Sequence, residues 1–243
     1  MSATPVVVVH PDKQSVADAG AARLVTALLD AQAEGREPHV VLTGGSLGSA
    51  IIASVLDVPA HTAVDWSVVS IWWGDERYLP AGDADRNDTQ NDEAGLSRLG
   101  LEPSRVHRVA GPDTSDSAEA SAERYAAAVR EQGQGSFDVV LLGVGPDAHV
   151  ASLFPGHPAQ LCTGIAVAVH DSPKPPPDRV SLTFECLSRA ERVWFLVAGA
   201  DKAHAVAVSV AGADPAQSSA AQVHGIRETL WLVDADSASD LPR

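Results

Sequence analysis

Three glycine-containing segments carry most of the residues able to do chemistry. In Gly143-Val144-Gly145-Pro146-Asp147-Ala148-His149, an imidazole follows a carboxylate by two residues, directly after the apolar run Phe137 to Leu142. Imidazole takes and returns protons near neutral pH, and a neighbouring acid can orient it and stabilise its charged form. The pattern suits a general base, or equally an exposed loop histidine. In the second segment, Thr43-Gly44-Gly45-Ser46 follows the β-branched run His39 to Leu42 and precedes an apolar helix. Glycines let the backbone approach a ligand, and the N–H groups of a helix start favour an anion. Without a ligand the same residues are a tight turn. The third segment, Gly74-Asp75-Glu76-Arg77-Tyr78-Leu79-Pro80, holds two carboxylates and a guanidinium.

Other chemistries lack their signatures. Gly143-x-Gly145-x-x-Ala148 matches a dinucleotide fingerprint in form, but Pro146 and Pro155-Gly156 interrupt the helix that would receive a pyrophosphate. No lysine follows the Gly44-Gly45 pair, which removes a Walker-A reading. His149 and His157 stand apart across a Pro-Gly pair, and paired-cysteine or H-E-x-x-H spacings are missing, so no metal site is expected. The 243 residues carry 17 Lys+Arg against 32 Asp+Glu, a net charge of −15. With no basic run to neutralise phosphates, this balance disfavours nucleic acid and anionic membranes. No apolar stretch reaches the roughly 20 residues of a membrane span, and no basic region precedes the first valines as in a signal peptide. Cys162 and Cys186 read as two reduced thiols of a cytoplasmic protein.

The elements that must position these loops alternate between short β-branched runs and Ala-rich amphipathic stretches, the pattern of a mainly parallel, helix-covered α/β sheet. Strands are expected at Val6 to Val9, His39 to Leu42, Val68 to Trp73, Val106 to Val109 and Phe137 to Leu142. Further strands fall at Ile165 to Val169, Val180 to Phe184, Val193 to Val197 and Leu230 to Val233. The first helix is expected to open at Ser15 with Asp18 as its capping-box acid and to end at Gly35. Other helices are expected from Ser46 to Leu56, Gln90 to Leu99, Ser117 to Glu131 and Lys202 to Val210, with a polar loop from Gly74 to Asn87. Asp171 to Asp178 reads as a proline-stiffened loop. Residues 1–243 are expected to form one domain, with a fraying tail from Asp234. In open parallel sheets ligands bind beyond the carboxyl ends of the strands, where all three glycine segments fall.

Taken in order, five segments resemble the 6-phosphogluconolactonase family: Leu42 to Ser46, Trp72 to Pro80, Phe137 to His157, Pro175 to Phe184 and Trp194 to Val206. The resemblance implies a three-layer α/β/α, Rossmann-like fold shared with glucosamine-6-phosphate deaminases. It also implies cofactor-free hydrolysis of 6-phospho-D-glucono-1,5-lactone in the oxidative pentose phosphate pathway, with a small phosphosugar lactone as the partner molecule and a monomeric or homodimeric enzyme. On this reading His149 is the general base, and Asp147 or a backbone carbonyl orients its ring. Arg77 or backbone N–H groups receive the oxyanion. The phosphate falls to Arg77, Arg179 and Lys202 beside the N–H groups of Gly44, Gly45 and Ser46. Arg77 could instead brace its loop through Asp75 or Glu76, and Lys202 could be only a helix-start residue. Where the family has glycine between acid and histidine, this chain has Ala148. A left-handed backbone there would cost alanine about 1–2 kcal/mol, whereas a close substrate approach would meet its methyl group. The Asn-Glu pair that follows the histidine in the deaminases is replaced by Ala151-Ser152-Leu153-Phe154-Pro155-Gly156, which disfavours that activity. A catalytically silent sugar-phosphate sensor is the remaining alternative.

Overall fold

The computed structural model describes residues 4–133 and 136–242. Six parallel strands form the main sheet: β1 (Val6–His10), β2 (His39–Leu42), β3 (Ser70–Trp73), β5 (Val139–Gly143), β8 (Arg192–Val197) and β9 (Glu228–Asp234), in the spatial order β1-β9-β8-β5-β2-β3. The chain steps outward from β2 to β3 but returns across β5, β8 and β9, so the direction of winding reverses between β2 and β5. Such a switch point opens a crevice at the carboxyl ends of its two strands. The glycine segments after β2 and β5 are therefore brought together, and the Gly143 amide donates to the Thr43 hydroxyl at 3.3 Å.

Both faces of the sheet are covered, as apolar runs such as Val40–Leu42 and Val139–Leu142 require when every side chain is buried. Helices α1 (Lys13–Ala33) and α2 (Gly45–Asp57) pack on one face around Leu28, Ile51 and Trp73. On the other face, α4 (Ala118–Gln132), the short α5 (Phe184–Leu187) and α6 (Ala203–Val210) enclose Trp72, Tyr125, Phe195 and Trp231. The α/β class and the mainly parallel sheet agree with the expectation.

The structure also corrects several details. Asp12 caps α1, accepting from the Ser15 amide at 2.8 Å, while Asp18 accepts from the Ser54 hydroxyl, so it anchors α1 to α2 and is not a capping acid. Val106 makes a single bridge to Ile71 and no strand forms from Val106 to Val109. The loop after β3 contains β4 (Asp75–Arg77), which with β6 (Ala166–Val169) and β7 (Arg179–Leu182) builds a second, antiparallel sheet ordered β4-β7-β6. Gly74 is the hinge: its amide donates to Leu42 O in the main sheet and its carbonyl accepts from Leu182 N in the small one. Helix α3 (Asn87–Glu93) starts earlier than expected because the Glu76 carboxylate caps it, accepting from the Asn87 and Asp88 amides at 2.7 and 2.9 Å. Gly95, at φ 116°, ends that helical run. Beyond β9 the chain first makes a buried turn, with the Ser237 amide donating to Asp234 Oδ1 at 2.8 Å, so fraying cannot begin at Asp234 itself.

Candidate active site

A cleft of about 300 Å³ opens at the switch point and is lined by Gly44, Gly45, Arg77, Asn87, Gly145, His149, Lys174, Arg179 and Lys202, among others. The larger hollow of about 620 Å³, around Glu34, Glu37, Asp138 and Glu191, borders the amino ends of β2 and β5, away from the glycine loops. His149 is 15% exposed, and its Nδ1 lies 2.6 Å from Asp147 Oδ1. The ring rests on Phe154 with centroids 4.5 Å apart. Nε2 makes no hydrogen bond to a described residue, so the hydrogen bond at Nδ1 leaves the distal nitrogen for a ligand. Burial alone would push the Asp147 carboxyl up. The hydrogen bond with His149, and then the charges of His149 and Lys174, outweigh it and hold the group well below the usual carboxylate range.

Two sets of donors face the same space. Gly44 caps α2 without a side-chain bond, so the first amides of that helix have no side-chain acceptor. A Cβ on Gly44 would lie 1.8 Å from Asn87 Oδ1, so any side chain there must displace Asn87. Arg77 donates from one terminal nitrogen to Asn87 Oδ1 at 2.7 Å and to Asp85 O at 2.6 Å. Its Nε–H is buried without a partner among the described residues. The anticipated brace through Asp75 or Glu76 is absent as an ion pair among the described residues. Asn87 and Asp85 perform it instead. Burial pushes the Glu76 carboxyl up to about 7, helped by the like charge of Asp88 and opposed by Arg86. Lys202 lines the cleft with Asp201 Oδ2 at 3.5 Å from Nζ, and burial lowers its pKa.

Two expected phosphate ligands are placed differently. Ser46, the second residue of α2, is exposed and does not line the cleft. Arg179 does line it, but the residue is buried and its guanidinium donates to carbonyls of residues 174–176. Two cleft residues escaped the sequence reading. Asn87 sits at the far end of a polar loop with no motif of its own. Lys174 lies in the proline-stiffened loop just ahead of a family-like segment, a position that could have flagged it. Its Nζ lies 3.5 Å from Asp147 Oδ1 and 3.4 Å from His149 Nδ1.

The outer end of that loop is tied down by His170, whose Nδ1 and Nε2 each lie 2.7 Å from a carboxylate, those of Asp178 and Glu119. The hydrogen bonds with Asp178 and then Glu119 raise the His170 pKa. A raised histidine value stabilises the fold fully below the ordinary 6.5 and loses that contribution as pH rises through the folded value. His170→Gln is therefore expected to lower the melting temperature at pH 5.5 and to match the wild type at pH 9, as a series of thermal melts would show.

Ala148 adopts φ 61°, so the backbone, and not ligand approach, is what this position demands. Its methyl is buried in the core and does not line the cleft. Relief of about 1–2 kcal/mol of left-handed strain by glycine is offset by about 0.8 kcal/mol of lost methyl burial. The looser unfolded chain costs a further ~0.4–1 kcal/mol. Ala148→Gly is expected to leave stability within about 1 kcal/mol of the wild type, and kcat/KM within about threefold, below the 1.4 kcal/mol of a tenfold change. Thermal melts and steady-state rates on the two proteins check both.

Fold and site together define a Rossmann-like α/β protein with a histidine–aspartate pair in a cationic cleft. Residues 11–231 match the family described as glucosamine-6-phosphate isomerases/6-phosphogluconolactonase. The chain is 51% identical to the 6-phosphogluconolactonase of Streptomyces coelicolor, covering all of this chain and 97% of the relative. It is 41% identical to that of Mycobacterium tuberculosis over 96% of this chain and 97% of the relative. The solved structure of the Trypanosoma brucei 6-phosphogluconolactonase superimposes with a TM-score of 0.82 at 27% identity, over 98% of this chain and 99% of the other. The chain belongs to the glucosamine-6-phosphate isomerase/6-phosphogluconolactonase family. Among the described residues, no helix is long and apolar enough to cross a membrane.

Proposed function

We propose that this chain hydrolyses 6-phospho-D-glucono-1,5-lactone to 6-phospho-D-gluconate, with His149 as general base. The observation that carries the reading is the hydrogen bond of His149 Nδ1 to Asp147 within a cleft that also holds Arg77, Lys174 and Lys202. Nε2 takes a proton from water as the water oxygen bonds the lactone carbonyl carbon. The imidazolium, stabilised by Asp147, then returns the proton to the ring oxygen as the carbon–oxygen ester bond breaks. Arg77 or the backbone N–H groups of the glycine loops receive the developing oxyanion. A sugar phosphate carries about two negative charges, and the protein carries a net charge of −15. Lys202, Arg77 and the amides at the start of α2 must therefore attract it locally. The full-length similarity to named lactonases supports the same assignment, which we place in the cytoplasm with a free small molecule as substrate.

The test uses freshly generated lactone with the spontaneous opening subtracted. Enzyme-dependent opening without ammonia release from glucosamine 6-phosphate supports the proposal. Ammonia release would assign a deaminase. Binding of 6-phosphogluconate with opening at the spontaneous rate would assign a silent binder.

A further inference from the structure

Arg179 stands on β7 directly opposite Arg77 of β4. Two cations facing each other across a strand pair would repel. Arg179 is nevertheless buried, with Asp75 Oδ2 3.9 Å from one terminal nitrogen and the Ser152 hydroxyl 3.4 Å from the same nitrogen. Its remaining donors go to three successive carbonyls. Nε donates to Pro176 O at 3.2 Å, and the other terminal nitrogen donates to Lys174 O and Pro175 O at 3.0 and 3.1 Å. The sequence explains why such a grip is needed. Pro175, Pro176 and Pro177 have no N–H, so this stretch cannot tie itself down with its own backbone donors. A planar guanidinium with five fixed donors can hold several carbonyls at once, which an ammonium on a flexible stem cannot. The segment gripped this way is where the Lys174 side chain departs toward Asp147 and His149.

We propose that Arg179 is a positioning residue, not a substrate ligand: it locks the Lys174–Pro176 backbone so that the Lys174 ammonium stays beside the Asp147–His149 pair. For its kinetic consequences this rests on the lactonase reading above.

The test is a double-mutant cycle with Arg179→Lys, Lys174→Met and the double variant in the full-length protein. Arg179→Lys is expected to lower kcat/KM about tenfold, as a sub-ångström misplacement of a site group can. Most of that loss should vanish in the Lys174→Met background, because the two residues act as one unit. Equal fold-losses in both backgrounds, or a rise in KM that Lys174→Met does not share, would overturn the proposal and return Arg179 to the phosphate. A second measurement needs no substrate: carbon-13 NMR titration of the Asp147 carboxyl. Both single variants should move that titration upward, and the double variant no further than Lys174→Met alone. An Asp147 titration unmoved by Arg179→Lys but moved by Lys174→Met sinks the positioning role even if the chain opens no lactone. Should Arg179→Lys fail to fold, Arg179→Gln, which keeps two carbonyl-directed hydrogens, takes its place in the same measurements.

Discussion

His149→Ala is expected to lower kcat for lactone opening by on the order of 10²- to 10⁴-fold, the range that positioned proton transfer contributes. KM should change little, because the proposed assignment gives the phosphate to Arg77, Lys202 and the α2 amides and not to the imidazole. The fold should survive. The ring's main apolar neighbour is Phe154, and its one strong polar partner, Asp147, keeps Lys174 at 3.5 Å as a counter-charge. His149→Gln sharpens the test, since it retains a donor for Asp147 but has no nitrogen able to accept a proton. A comparable loss in both variants, with background opening subtracted and melting temperatures near the wild type, identifies proton transfer as the missing function. Retention of a tenth or more of wild-type kcat in His149→Gln would place the base elsewhere.

Gly145→Ala should be nearly as damaging without touching a titratable group. A Cβ on Gly145 would lie 2.0 Å from His149 Nδ1, 2.1 Å from Cε1 and 2.5 Å from Asp147 Oδ1. These distances are far inside contact, so both partners must move. The backbone itself accepts alanine, since Gly145 is not among the residues with positive φ. Its amide donates to His149 O at 2.9 Å and its carbonyl accepts from Ala148 N at 2.9 Å, bonds that alanine can also make. The substitution therefore displaces the side-chain pair while preserving the turn. A misplacement of about 1 Å can cost on the order of 10²-fold in rate, and that is the loss expected in kcat, with binding of 6-phosphogluconate by calorimetry largely retained. Gly143, two residues earlier, shows how local the constraint is: its Cβ would meet only Thr43 Oγ1, at 3.7 Å.

Much of the site is legible because its parts lie within short segments. Asp147 and His149 meet within one turn, and Gly44 and Gly45 act where they stand, at the junction of β2 and α2. Lys202, at the junction before α6, also reaches the cleft from its own segment. The roles of the arginines were less legible. Arg77 and Arg179 share residue type and proximity to the cleft, yet one keeps a buried Nε–H without a partner among the described residues and the other is consumed by the backbone of residues 174–176. Nothing in either segment distinguishes them, since the carbonyls, Asp75 and Ser152 that engage Arg179 come from other parts of the chain. Asn87 became a site residue for a similar reason: Glu76 caps α3 and turns that amide toward Arg77.

The amino-acid sequence by itself determined the alternation of buried strands and helices, the parallel character of the main sheet, and the histidine–acid pair behind a glycine loop. Each of these is a local matter of periodicity, turn chemistry and close spacing. Only the tertiary structure decided that β4, β6 and β7 leave the main sheet, that the winding reverses between β2 and β5, and that Lys174 rather than Arg179 reaches the Asp147–His149 pair. Those outcomes depend on pairings between segments distant in the chain. In a buried cleft, a cation is directed by whichever donors and acceptors the fold leaves unpaired.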